Sequence, residues 1–134
     1  MKRKEADNII LNPMPTIHHF RAWKLHLRDE VASASGNPEM GFKWVLQAER
    51  PGIAMKDLYD STPFALLDSK LAAALAKIMS GEFARQVNIL KEECAAKDML
   101  LKGRQVLLML YRHYQISEVN GQWSDVRFPG LELR

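Results

Sequence analysis

Apolar residues recur every three or four positions through most of the chain, the spacing that places them on one face of an α-helix. The first such stretch runs from Ile17 to Ser35, and a short second one lies between Pro38 and Pro51. A third begins after Pro63, where alanines fill the positions between leucines. The pattern predicts an all-α fold, a single compact bundle of four to five helices.

Residues that commonly cap helices precede these stretches. Asn37 comes before Pro38, and Thr62 before Pro63, which is the arrangement of an N-cap followed by a first-turn proline. Thr16 is the expected N-cap of the first helix, which Gly36 ends. Asp98 is the expected cap of a fifth helix from Met99 to about Tyr114. Its apolar positions occupy more than one face, which predicts the central and most buried helix.

Two stretches of the pattern allow alternatives. Residues 53–61 predict a packed connection or one helical turn. Gly81 either separates a third helix from a fourth or bends one long helix, since a lone glycine costs only about 1 kcal/mol inside a helix.

The two ends of the chain lack the helical pattern. Residues 1–15 predict a basic, disordered leader that finishes in prolines, and residues 16–115 form the helical domain. Asn120 and Gly121 are the preferred pair of a two-residue hairpin turn, so residues 116–134 predict a small hairpin and an irregular C-terminal tail.

Composition places the chain among ordinary globular domains. Of its 134 residues, 47% are hydrophobic and 26% are charged, which argues against intrinsic disorder. The longest apolar run, Val106 to Tyr111, is far shorter than the roughly 20 residues of a membrane-spanning helix. Without a secretory signal, an intracellular protein that does not bind membranes is expected. Cys94 is the single cysteine, so an internal disulfide and a thiolate zinc site are excluded.

No pattern of catalytic or metal-binding residues stands out. Three of the four histidines lie in the first helix, but His19 and His26 are seven residues apart, whereas metal ligands on one helical face are separated by three or four. Cys94 shares a helical face with Leu90 and is interpreted as a small buried hydrophobe. The chain also lacks a glycine-rich phosphate loop. We therefore predict no enzyme, no cofactor, no metal and no small-molecule substrate.

The basic residues are concentrated near the N-terminus. The formal net charge is only +3, well short of a dedicated nucleic-acid binder. Their simplest interpretation is a solvated leader and the polar face of the first helix. The alternative is a weak, non-specific RNA contact, whose candidate residues are Lys2, Arg3, Lys4, Arg21 and Lys24.

Several strings occur together in a recognisable order. They are Phe20-Arg21-Ala22-Trp23-Lys24, Arg28-Asp29-Glu30-Val31-Ala32, Ala34-Ser35-Gly36, Trp44-Val45-Leu46, Leu67-Asp68-Ser69-Lys70-Leu71-Ala72-Ala73-Ala74-Leu75, Ser80-Gly81-Glu82-Phe83-Ala84-Arg85-Gln86 and Leu101-Lys102-Gly103-Arg104-Gln105-Val106-Leu107. In this order they resemble the gag-like, capsid-type region of copia-type long-terminal-repeat retrotransposon polyproteins. The resemblance covers most of residues 20–114.

The resemblance implies an all-helical domain that self-assembles into a particle around RNA. This chain lacks the zinc knuckle and the Asp-Ser/Thr-Gly protease triplet found further along such polyproteins. Self-association is also suggested by the apolar surface of two helices, Ile17 to Ser35 and Met99 to Tyr114. The alternative function is a monomeric helical module that offers a groove to a partner helix. Enzymatic activity is the third hypothesis, after these two. An exposed, contiguous apolar patch would favour self-association.

Overall fold

The computed structural model describes the backbone of residues 5–126 and the side chains of residues 5–115. Five α-helices account for most of this part of the chain, and it contains no strand. They are α1 (Phe20–Ala34), α2 (Pro38–Leu46), α3 (Ala65–Ile78), α4 (Gly81–Ala96) and α5 (Gly103–Val126). Three short 3-10 turns lie at Ile17–His19, Gln47–Glu49 and Met55–Leu58. The all-α prediction is confirmed.

Helices α1 and α2 form a tightly packed antiparallel pair. Gly36 adopts a φ of 82° after α1, a left-handed conformation that suits glycine. Asn37 then caps α2, as predicted, by accepting a hydrogen bond from the Met40 amide at 3.5 Å. A Cβ on Gly41 would lie 2.4 Å from the Ser35 hydroxyl oxygen, so glycine allows the two helices to approach this closely.

Helix α5 is the centre of the molecule and packs mainly against α3. Its first two turns are almost entirely buried, and Leu107 and Leu110 have no solvent exposure. Leu71 and Leu75 of α3 are likewise fully buried. The prediction of a central fifth helix is confirmed, and its apolar surface is used inside the molecule.

Helix α4 covers one side of α5 through a narrow apolar stripe. Phe83 and Val87 are buried, and Leu90 and Cys94 pack at the edge of the core. Contact between the Phe83 and His113 rings, whose centroids lie 5.2 Å apart, places the start of α4 beside the middle of α5, while the short connection 97–102 keeps the end of α4 near the start of α5. The two helices are therefore antiparallel.

The segment 5–15 has no helix or strand, but it lies against the helical body. Ile9 is 4% exposed within the core, and the Trp23 indole donates a 3.0 Å hydrogen bond to the Asn12 carbonyl. The Lys70 ammonium lies 2.9 Å from a Glu5 carboxylate oxygen. Burial of one large apolar side chain stabilises a fold by about 1.5–3 kcal/mol. The prediction of a disordered leader did not anticipate this packing against the helices.

Several predicted boundaries differ from the structure. Helix α3 begins at Ala65 rather than at Pro63, because the Asp60 side chain binds the Thr62 amide and hydroxyl in a separate turn. Thr16 caps no backbone amide, and its hydroxyl lies 2.8 Å from the His19 ring instead. Gly81 separates two helices and adopts a φ of 65°.

The fifth helix begins at Gly103 and not at Met99, so the prediction that Asp98 caps it is wrong. Asp98 instead ends α4 with a φ of 58°. The backbone is helical to Val126, and the hairpin expected at Asn120 and Gly121 is not observed. An isolated hairpin is only marginally stable, whereas a helix already formed extends with one hydrogen bond per residue. Residues 127–134, expected as an irregular tail, lie outside the described residues.

Candidate functional site

The five residues predicted to contact RNA are divided by the structure. Lys2, Arg3 and Lys4 lie outside the described residues. Arg21 is exposed on α1. Lys24 is half-buried one turn further on, in the wall of a cleft that the sequence analysis did not predict.

This cleft has a volume of about 680 Å³ and lies between α1, α5 and the loop that follows α2. Helix α1 contributes Phe20 and Lys24, and α5 contributes Leu108, Tyr111, Arg112 and Gln115. Residues 48–54 form the remaining wall. We call this feature the basic cleft, since its charged lining residues are Lys24, Glu49, Arg50 and Arg112.

Lys24 is held in position by aromatic rings and by a carboxylate. Its ammonium lies 5.5 Å from the centre of the Phe20 ring and 5.6 Å from that of Tyr111, within the range of cation–π attraction. It also lies 3.8 Å from a Glu49 carboxylate oxygen. Arg28, just outside the cleft, binds both Glu49 oxygens, with its Nε at 2.8 Å from Oε2. This fork geometry stabilises the charged arginine and raises the pKa of Arg28.

Tyr111 carries a buried hydroxyl that has no hydrogen-bond partner among the described residues. Burial raises the pKa of Tyr111 well above its ordinary value, and the neighbouring Glu49 carboxylate raises it further. The hydroxyl therefore stays neutral at physiological pH.

A turn in the loop after α2 shapes the opposite wall. The Ile53 amide donates a 3.2 Å hydrogen bond to the Arg50 carbonyl, with Pro51 and Gly52 between them. Gly52 has a φ of 78°, and the proline–glycine order is that of a type II turn. The Arg112 guanidinium donates to the Ile53 carbonyl at 3.1 Å, which ties α5 to this loop.

A second buried polar cluster lies at the start of α5. The carboxylate of Asp68, on α3, accepts hydrogen bonds from the Gly103 and Arg104 amides at 2.7 and 2.9 Å. The Gln105 side chain accepts from the Lys102 amide at 2.9 Å, as in a capping box. Asp68 thus supplies the N-terminal cap that Lys102 lacks, and its negative charge suits the positive end of the helix dipole.

Arg104 is the most deeply buried cation among the described residues, at 1% exposure. Its guanidinium donates to the carbonyls of Trp44 and Asp60 at 3.2 and 2.8 Å and to the Gln47 side chain at 2.5 Å. It also lies 4.6 Å from the centre of the Trp44 ring. Burial lowers the pKa of Arg104. Since these contacts join α5 to α2 and to the loop before α3, we interpret the cluster as structural.

Helix α3 presents an exposed face of small and apolar residues, and the exposed Lys77 lies at its C-terminal end. The small and apolar members are Ala65, Leu66, Ser69, Ala73 and Ala76. We call this surface the α3 outer face. Leu66 projects from it with 70% exposure. The neighbouring Lys70 is engaged by Glu5 and by the Ala6 carbonyl, at 2.9 and 2.7 Å.

In the described part of the chain, no group of three histidine, cysteine, aspartate or glutamate side chains is placed to hold a metal ion. None of the described helices combines the length and apolar character needed to cross a membrane. Cys94 is a free thiol that is half-buried, whereas a buried position was predicted for it.

Comparison with known proteins identifies no relative. No family model, no curated protein and no solved structure matches the chain.

Sequence reasoning missed both the basic cleft and the cap on α5, because their residues come from distant segments. Arg50, Pro51 and Gly52 carried a readable turn signal, but nothing in the chain order placed that turn opposite Arg112. The resemblance includes the string Lys102-Gly103-Arg104-Gln105. Nothing in that string indicates that Gly103 binds Asp68, which lies 35 residues earlier.

Proposed function

We propose that this chain is a non-enzymatic self-association domain of the capsid type, in which copies meet through the α3 outer face. The observation that carries the proposal is an exposed surface of small residues from which one leucine projects. Solvated helix faces normally carry several charged residues. This one carries the exposed Lys77 at its end, while the neighbouring Lys70 is already paired with Glu5. The resemblance to gag-like regions supports the same function.

The α3 outer face suits a second copy of itself. In a two-fold contact between antiparallel α3 helices, Leu66 of each copy would lie opposite Ala73 of the other, with Ser69 near the axis. Small side chains allow the two helices to approach closely, and each projecting leucine meets a shallow alanine surface. The face is therefore self-complementary.

The expected contact is weak. The face extends about 16 Å along one helix, given a rise of 1.5 Å per residue. Such an interface buries less than the roughly 1,200–2,000 Å² of stable complexes. Assembly into a particle relies on many weak contacts, so weakness is consistent with the proposal.

Sedimentation velocity at rising protein concentration tests this proposal. The wild-type chain is expected to show a concentration-dependent shift towards dimers or larger species. Leu66→Glu should remove the shift, since it places two carboxylates in the contact. The matched control is Leu25→Glu. Leu25 is 53% exposed on α1, so this variant introduces a glutamate on a surface away from α3.

A wild-type chain that stays monomeric to about millimolar concentration would overturn the proposal, since weak contacts fall in that affinity range. The monomeric helical interaction module would then be the better hypothesis. If Leu66→Glu associates like the wild type, the contact lies on another surface and the α3 interface is wrong.

We also propose that RNA binding, implied by the resemblance, is weak and non-specific and uses the N-terminal cations Lys2, Arg3 and Lys4 together with Arg21. The exposure of Arg21 supports its inclusion. Lys24 is the weakest member of the predicted set, because Glu49 and two rings already engage it.

A further inference from the structure

We propose that the basic cleft is a binding site for a small phosphorylated ligand, held between Lys24 of α1, Arg50 of the loop and Arg112 of α5. This site is separate from the α3 outer face, and the inference does not depend on self-association.

The balance of charge around the cleft favours an anion. Among the described lining residues, three cationic side chains stand against one carboxylate, that of Glu49. That carboxylate is already bound at both oxygens by Arg28. Its charge is therefore largely neutralised from outside the cleft, and the positive charges of Arg50 and Arg112 remain at the rim, where both residues are exposed.

The arrangement of donors suits phosphate oxygens. Guanidinium groups bind phosphate with paired hydrogen bonds, and a lysine ammonium adds a compact point charge. The protein thus presents both kinds of phosphate ligand from three different segments.

The cleft is largely formed before a ligand arrives. Lys24 is fixed by Phe20, Tyr111 and Glu49, and the turn at Pro51 and Gly52 is closed by its own hydrogen bond. The bond from Arg112 to the Ile53 carbonyl holds the loop against α5. Because little ordering is needed on binding, the entropic cost is small.

The size of the cleft indicates more than a bare phosphate. Its volume of about 680 Å³ lies within the range of roughly 300–1,000 Å³ found for small-molecule sites. Beyond the charged groups, the wall includes Leu108, Ile53 and the Phe20 ring, which could contact an organic body. The ligand class is therefore a small organic molecule that carries phosphate groups.

The test is a ¹H–¹⁵N NMR titration of the full chain with inorganic tripolyphosphate at constant ionic strength. Saturable shifts are expected at the amides of residues 48–54, apart from Pro51, and of residues 108–115. Arg50→Gln and Arg112→Gln should each weaken binding roughly tenfold, since each removes one charge-assisted contact. Arg85→Gln is the matched control, because it removes an exposed arginine of α4 that lies outside the cleft lining, and it should change the affinity less than twofold.

A second arm uses a single-stranded RNA of 12 nucleotides to separate a small ligand from a nucleic-acid strand. Saturable tripolyphosphate binding that depends on the cleft arginines, with RNA binding that they do not affect, supports the proposal. Binding of RNA alone at the cleft would overturn it in favour of a strand site. Absence of tripolyphosphate binding at about millimolar concentration, or equal weakening by Arg85→Gln, would also overturn it.

Discussion

At the scale of single residues, Asp68 of α3 caps the N-terminus of a different helix, α5. Its carboxylate binds two amides at the start of α5 while it is only 2% exposed. A buried carboxylate is tolerated there because both oxygens accept hydrogen bonds and face the positive end of a helix dipole.

Asp68→Ala should lower the free energy of unfolding by about 2 kcal/mol or more, because it leaves two buried amides without partners. Urea unfolding followed by circular dichroism measures the loss. Asp57→Ala is the control, since the exposed Asp57 carboxylate binds a single amide, that of Ala54, and its loss should cost about 1 kcal/mol or less. Equal losses in the two variants would contradict the role given to Asp68.

Tyr111 predicts a pH dependence whose direction follows from burial. Its pKa is raised in the folded protein, while in the unfolded chain it is near 10. Above about pH 10 the unfolded chain loses a proton that the folded protein retains, so stability falls as pH rises. Tyr111→Phe removes this contribution.

We therefore expect Tyr111→Phe to equal or exceed the wild type in stability at pH 7, because it also deletes an unpartnered buried hydroxyl. Between about pH 9 and pH 11 the variant should lose less stability than the wild type. Urea unfolding at both pH values measures the difference, and parallel loss in the two proteins would show that Tyr111 is not responsible.

At the scale of elements, the contact between α3 and α5 depends on the absence of a side chain at Gly103. A Cβ there would lie 2.3 Å from the Asp68 carbonyl oxygen and 2.9 Å from the Ala72 nitrogen. Both are backbone atoms, so relief requires the helices to separate. The same glycine lies where the Asp68 carboxylate caps α5.

Gly103→Ala should destabilise the protein by about 2 kcal/mol or more, through the clash and through weaker capping. Gly81→Ala is a suitable comparison, because Gly81 has a φ of 65° but no atom near the added Cβ. Its cost should be limited to backbone strain of about 1 kcal/mol. Thermal unfolding of both variants gives the order, and the reverse order would refute the close contact.

At the scale of the whole molecule, the segment 5–15 joins distant parts of the bundle. It bonds to Trp23 of α1 and to Lys70 of α3, and it places Ile9 in the core. Deletion of residues 1–15 would therefore change both stability and charge. A test of RNA binding needs variants that separate the two effects.

The triple variant Lys2→Gln, Arg3→Gln, Lys4→Gln removes only charge. We expect it to weaken RNA binding and to reduce the salt dependence of the binding constant, because fewer phosphates are neutralised. Fluorescence anisotropy at several salt concentrations measures both quantities. Stability should stay within about 0.5 kcal/mol of the wild type, whereas deletion of residues 1–15 should lower it by about 2 kcal/mol. Unchanged RNA affinity in the triple variant would move the contact elsewhere.

The sequence by itself determined the elements that depend on local periodicity and local caps. The apolar spacing located the helical segments, although it left the break at Gly81 open and placed only the first half of α5. Asn37 and Gly36 marked the turn between the first two helices. These signals work because a helix, its cap and its stop involve residues within a few positions of one another.

Only the tertiary structure decided the start of α5, the docking of residues 5–15 and the basic cleft. In each case the decisive partners are far apart in the chain, as with Asp68 and Gly103 or Arg50 and Arg112. Asp98 is the cap that the local sequence pattern predicts. The carboxylate that caps α5 in the structure belongs to Asp68 of α3, and it binds the amides of Gly103 and Arg104. Hydrogen bonds and burial between distant segments outweigh a local preference of about 1 kcal/mol, and they exist only once the chain has folded.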